Sequence, residues 1–336
     1  MHTAENLLQH LLDENARFAL DARGTTNHCP MALIALARMG ATPDRLQAFF
    51  ARWTDKYAIT ETQPHTPIGV DQWLAHVGNP ASFSSLRRYF SEAIRRDGAP
   101  AVIGDVMRRA PHAPATGAFH AIIRLAYGIE AGHVGEMASG LAAYVAVNLP
   151  VDIDLKGRQP ALSVEAGLAG MSSRLAGRDW PVGSITGRLA AIAADPDFRQ
   201  ALRAPPAGAG LFDDLARAAI ALYWQTADFT VLHMVTGVHA ARSLLAQVPD
   251  DLEQQLQTAL WAAFCAAHVS VGAPPLLAVD APTATAAWPD VMRQAIASDD
   301  DHVIKMVYTC FKESMRYPDS SCYLAAASRI VRPPPG

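Results

Sequence analysis

The chain is short of charge, of cysteine and of long apolar runs. Asp, Glu, Lys and Arg make up 18% of its 336 residues and the net charge is −4, so it lacks the basic surface that nucleic acid requires. No apolar run reaches membrane-spanning length, and residues 1–14 carry neither the basic nor the apolar segment of a signal peptide. Only four cysteines occur, Cys29, Cys265, Cys310 and Cys322. They form no CxxC pair, which argues against a structural zinc site and a disulfide framework. They read as reduced thiols, and the expected location is cytoplasmic. Sites with well-known signatures are missing too. There is no GxGxxG or GxxxxGK[ST] loop to seat a nucleotide, no HExxH, and no pair of ExxH motifs for a di-iron carboxylate site. Ser/His/Asp hydrolysis has no GxSxG elbow. Neither sustained strand alternation with hairpin turns nor a repeat of fixed period can be found.

What the chain does have is helix. Half of its residues are hydrophobic, and alanine, the best helix former, is abundant. Leu7, Leu8, Leu11 and Leu12 recur at helical spacing within residues 4–20. Pro30 suits the first turn of a buried helix, with His28 at its entry. Thr42-Pro43-Asp44 starts another helix through Tyr57. Further helices are expected over Phe83–Arg96, Ala101–Arg109 and Thr116–Glu130, then one opened by His133 with Glu136 as its partner at the third position. Short helical pieces follow between 150 and 210. Beyond them come Phe212–Leu245 as one helix, Leu252–Val271, Asp299–Arg316 and Ser320–Ile330. The expected architecture is all-α: a multi-helix globular bundle in one domain over 1–336, with an internal break near the Pro- and Gly-rich residues 205–210.

Twelve histidines are many for this length. His28, His120, His233, His239, His268 and His302 fall in apolar helical stretches, where an imidazole needs a partner at its ring nitrogens. Such a set serves either as core hydrogen-bonding groups or as inward-facing ligands of a shared metal in the helical core. His233 and His239 stand about 120° apart on an ideal helix. Both reach one ion only if the helix is distorted, for which Thr236-Gly237 offers a place, and His233 is the favoured ligand of the two. His302 and Lys305 are three apart and share one face. Asp299, Asp300 and Asp301 supply N-cap candidates at the start of their helix. Lys305 is either a surface lysine or a buried one. Beside a metal, a buried lysine loses its proton more easily, and its neutral amine can add carbon dioxide to form an anionic carbamate with oxygens for the metal. Tyr223, Trp224 and Phe229 are candidate walls of an apolar substrate pocket. Cys29 reads as a small buried hydrophobe.

Four stretches carry a resemblance: Asn27–Leu33, Ala118–Glu130, Leu232–Thr236 with His239-Ala240, and Asp300–Lys305. In order, and over nearly the whole chain, they resemble the questin oxidase-like family. That resemblance implies oxidative opening of a quinone or anthraquinone-like ring, of Baeyer–Villiger or dioxygenase type, on an aromatic polyketide with dioxygen as co-substrate. It implies a mononuclear non-haem Fe(II) held by four histidines and a carboxylated lysine. Carried over by motif, His28, His120, His233, His239 and His302 stand for the four histidine places, and Lys305 for the carbamate formed with carbon dioxide. Some members are described as using NADPH, for which this sequence shows no binding motif. Two other readings accompany this one. The same ligands could activate water in a metal-dependent hydrolase or lyase, or the chain could be a non-catalytic helical protein that binds an aromatic metabolite.

Overall fold

Helix dominates the computed structural model, which describes residues 3–63, 65–180, 183–208, 210–277 and 286–331. Among these residues there are sixteen α-helices. In chain order they are α1 (Ala4–Asn15), α2 (Cys29–Arg38), α3 (Pro43–Tyr57), α4 (Phe83–Asp97), α5 (Ala99–Arg109), α6 (His120–Glu130), α7 (Val134–Ala146) and α8 (Val164–Leu175). They continue with α9 (Ile185–Ala194), α10 (Pro196–Ala201), α11 (Leu211–Thr226), α12 (Phe229–Leu245), α13 (Asp250–Ser270), α14 (Trp288–Ala297), α15 (Asp301–Arg316) and α16 (Cys322–Val331). The one sheet among the described residues is a hairpin of two-residue strands, β1 (Asp21–Ala22) and β2 (Thr25–Thr26), in the register Asp21↔Thr26 and Ala22↔Thr25. Gly24 turns it with φ +75°, a conformation that glycine adopts without strain. Strands this short leave no alternation to read. No described helix is long and apolar enough to cross a membrane.

The chain divides into two compact units. The first comprises Met1–Ala99, Arg124–Ala146 and Ala281–Gly336. In it α4 lies along α7, α15 packs on α2, α14 and α16, and α1 packs on α2 and α3. α1 starts at a Thr3 cap and stops at Asn15, five residues short of the expected end, because Phe18 leaves it to bridge Thr60. Two glycines allow the turn-linked helices α6 and α7 to touch. A Cβ at Gly128 would lie 2.6 Å from the Met137 nitrogen, and one at Gly140 would lie 2.6 Å from the Leu125 Cα. Beside this contact is a buried ion pair, with Arg124 donating to Glu136 at 2.7 and 3.1 Å. His133 opens α7 as expected: its Nδ1 accepts the Glu136 N–H at 3.0 Å. The Glu136 partnership is therefore made by the backbone, while the carboxylate serves Arg124.

The second unit comprises Pro100–Ile123 and Val147–Asp280. Here α13 packs on α8, α9 and α12, and α11 packs on α12. Trp261 is fully buried against Gly167, where a Cβ would come within 2.5 Å of the ring, and its Nε1–H donates to the Arg203 carbonyl at 2.9 Å. The Pro- and Gly-rich break at 205–210, of which position 209 lies outside the described residues, falls inside this unit.

Two further helix boundaries differ from expectation. Residues 212–245 form two helices, because Ala227 turns left-handed at φ 49° and Asp228 caps a new start. The Asp228 carboxylate accepts from Thr230 N–H at 2.6 Å and Val231 N–H at 3.2 Å, and such a cap outweighs continuation of an alanine-rich helix. The helix expected from Thr116 starts only at His120, since Gly117, Ala118 and Phe119 all take positive φ, at 59°, 55° and 69°.

Candidate metal centre

In the first unit the three aspartates before α15 divide their roles. Asp300 is the cap: its Oδ1 accepts from His302 N–H at 2.8 Å and Val303 N–H at 3.4 Å. Arg45 of α3 anchors the preceding link, donating to the carbonyls of Ile296 and Ser298 and to Asp299. Asp301 is thereby turned inward and buried. Its Oδ1 lies 3.0 Å from His28 Nδ1 and 2.8 Å from His302 Nδ1. The two rings meet edge to face, with centroids 4.6 Å apart. His28 is delivered by the residue just before α2, where Pro30 occupies the first turn.

Lys305 lies one turn along from Asp301 and is 2% exposed, which removes the surface-lysine reading. Burial pushes its ammonium down to about 8, and the charges of Asp301 and Asp300 act in the opposite direction. His28 falls to about 3, chiefly because burial disfavours the imidazolium, with the charge of Lys305 adding to this and the Asp301 contact opposing it. Burial alone would raise the Asp301 carboxyl, but the hydrogen bond and charge of His28, the hydrogen bond from His302 and the charge of Lys305 hold it well below its ordinary value. At neutral pH this corner therefore holds an ionised carboxylate, a neutral His28 and a lysine with an accessible amine form.

In the second unit α12 and the turn before α6 bring His233 and His120 together. The Phe119 ring sits in a notch on α12, where a Cβ at Gly237 would lie 2.8 Å from the ring. That seat accompanies the left-handed run at 117–119 and places His120 as the first residue of α6. His120 Nδ1 bonds to the Gly117 carbonyl, and His233 Nδ1 bonds to the Phe229 carbonyl at 2.7 Å. Carbonyls only accept, so each Nδ1 carries its ring proton. The two Nε2 atoms then face each other at 3.2 Å with a lone pair on each. Neutral rings repel in that arrangement, and a proton or a cation between them relieves it.

The distortion that His233 and His239 would need to share one ion is not present at Thr236-Gly237: α12 runs through both residues, and Gly237 serves as the notch for Phe119. His239 accordingly keeps its place about 120° around the helix from His233. Of the expected pocket walls, Phe229 stands at the start of α12, 51% exposed, with its ring 4.7 Å from that of His233. Tyr223 is buried in α11, and Trp224 beside it is half-buried. His268 is a core histidine, its Nε2–H donating to the Pro274 carbonyl at 2.8 Å. Cys29 is fully buried, and burial raises its thiol well above the ordinary range, so it offers no thiolate.

Three residues take roles that the sequence reading did not foresee. Asp301 was expected only as an N-cap candidate, although three consecutive aspartates signal that at most one can cap. Phe119 and Gly237 carried no signal, because their contact joins distant segments.

Each donor set fits a metal in its chemistry. His28 and His302 have Nδ1 committed to a carboxylate, and His120 and His233 have Nδ1 committed to carbonyls, so Nε2 is the nitrogen that each would offer a metal. Imidazole suits iron among the first-row metals. The family model for questin oxidase-like proteins matches residues 25–226 and 211–310. A Baeyer-Villiger oxidase, ptaJ of Pestalotiopsis fici, is 27% identical over 158 residues, which are 42% of this chain and 34% of that relative. The matched region thus spans about a third of the relative's length.

Proposed function

The chain belongs to the questin oxidase-like family, and on that premise we propose that it is an oxidoreductase that oxidatively opens the ring of an aromatic polyketide. More finely, we infer a non-haem iron-dependent oxygenase acting on a quinone or anthraquinone-like substrate with dioxygen. In this reading His28, His120, His233 and His302 fill the four histidine places, and Lys305 contributes as the carbamate. His239 is left out because α12 is undistorted at Gly237.

One observation carries the metal part of the reading. His120 and His233 face each other through Nε2 at 3.2 Å while both Nδ1 atoms are bonded to backbone carbonyls. Bound Fe(II) would supply the activation of dioxygen, which on its own reacts slowly with closed-shell organic molecules. The chain's own residues do the rest. The carbonyls of Gly117 and Phe229 hold the His120 and His233 rings in one orientation. Burial of Lys305 keeps part of its amine neutral near pH 8, the form that adds carbon dioxide. Phe229, exposed beside His233, offers a ring on which a flat aromatic substrate can stack.

The test is anaerobic reconstitution with Fe(II) and bicarbonate, followed by elemental analysis and oxygen uptake with an anthraquinone, with and without NADPH. One iron per chain and substrate-dependent oxygen uptake are expected, both lost in His233→Ala. No metal retained after reconstitution would sink the proposal. Retention of zinc without oxygen consumption would assign the site to water activation in a hydrolase or lyase.

A further inference from the structure

Only one of the three aspartates at the start of α15 caps the helix, and Asp301 is free of that duty. It is 6% exposed. A single oxygen, Oδ1, lies within hydrogen-bond distance of two ring nitrogens, His28 Nδ1 at 3.0 Å and His302 Nδ1 at 2.8 Å. The Asp300 Oδ1 stands farther off, 3.7 Å from His302 Nδ1, and already accepts two backbone N–H groups, so Asp301 is the nearer acceptor for the ring. A carboxylate oxygen accepts and does not donate. Both rings must therefore hold their proton on Nδ1 and keep the lone pair on Nε2.

We propose that Asp301 is a positioning residue that sets the tautomer and the orientation of both His28 and His302, presenting two Nε2 atoms for coordination of a divalent metal. The metal half of this statement rests on the reading given under Proposed function, whereas the tautomer half rests on the hydrogen-bond geometry alone. The residue types suit the task. A histidine in a buried site has two tautomers of similar energy, and only one leaves Nε2 able to coordinate. One anion that accepts from both rings selects that tautomer twice and makes both imidazoles stronger donors. Because one oxygen serves both rings, a neutral amide could keep that contact without the charge, whereas alanine removes the acceptor from both rings at once.

The test uses the full chain with 15N-labelled histidine, stripped of metal by a chelator. Histidine tautomers are read from two-bond proton–nitrogen spectra, and the two signals are assigned with His28→Gln and His302→Gln. In the wild type both rings should show a protonated Nδ1 and an unprotonated Nε2. In Asp301→Ala, with Asp301→Asn as a second variant that keeps an accepting oxygen but no charge and far-UV circular dichroism to verify folding, at least one ring should move its proton to Nε2. Cobalt(II), as the probe metal in calorimetry, should bind Asp301→Asn about 10- to 100-fold more weakly than the wild type. Retention of Nδ1 protons on both rings in folded Asp301→Ala would overturn the proposal, whatever the metal does. Tautomers that switch in a wild-type background taking up no cobalt would uphold the role of Asp301 and count against the oxygenase reading. Equal cobalt affinity with unchanged tautomers would do the reverse.

Discussion

Replacing Lys305 with methionine should stabilise the metal-free, carbon dioxide-free chain at neutral pH. The lysine is 2% exposed, and burial lowers it from 10.5 to about 8 even against the pull of Asp301 and Asp300. At roughly 1.4 kcal/mol for each tenfold change, that difference corresponds to about 3 kcal/mol by which the folded state disfavours the ammonium. The sign follows from proton counting. Between pH 8 and 10.5 the unfolded chain holds a proton that the folded chain has released, so stability rises with pH across that window. Below pH 8 both states are protonated and the whole penalty applies; above 10.5 it is gone. Methionine is unbranched and of similar length, and it fills irregular apolar space without a charge. The Lys305→Met chain should therefore be more stable than the wild type by up to about 3 kcal/mol at pH 7, with the gap closing between pH 8 and 10.5. Urea unfolding at several pH values, with chelator and carbon dioxide-free buffer, gives the midpoints and slopes. Buried tyrosines and cysteines titrate equally in both proteins, so the difference isolates Lys305. A methionine variant no more stable at pH 7, or a gap that is flat up to pH 10.5, would refute the reasoning. The same shift bears on function. At pH 7 roughly a tenth of such a lysine is neutral amine, against about 0.03% for an ordinary one, so carbamate formation from bicarbonate, read by 13C spectra, should be lost in any variant that restores an ordinary pKa.

Further expectations rest on packing and charge. Gly237→Ala puts a Cβ 2.8 Å from the Phe119 ring and should cost about 1–3 kcal/mol; melting temperature reads the loss, and the His120 nitrogen signals should shift with it. Arg124→Met strands the buried Glu136 carboxylate and should destabilise by about 3–5 kcal/mol, whereas Arg124→Met combined with Glu136→Leu should recover most of that in urea unfolding. Phe229→Ala removes a half-exposed ring. It should change stability little and weaken binding of an anthraquinone by about 0.5–1.5 kcal/mol, measured by fluorescence titration.

The helices were largely legible because their signals are local. The leucine spacing of α1, Pro30 at the start of α2 and the aspartate cap of α15 each act within a turn or two. Where boundaries slipped, a second local signal won: Asp228 as a cap, or the left-handed run at 117–119. α14 was not anticipated, since ten residues leave a weak periodicity. Within the candidate centre, the shared face of His302 and Lys305 was readable from a spacing of three, whereas the choice between a surface and a buried Lys305 was left to the structure.

The partnerships were not readable in that way. His28 and Asp301 are 273 positions apart, and His120 and His233 are 113 apart. No periodicity links such pairs, because their meeting depends on how helices pack and not on how any one of them forms. Helix content and the helical placement of the histidines thus followed from the order of residues alone, since backbone hydrogen bonding and amphipathic burial repeat every few residues. That Asp301 serves two rings, that Gly237 is a notch for Phe119, and that two imidazoles meet through Nε2 was decided by the tertiary structure, which alone sets the distance between atoms far apart in the chain.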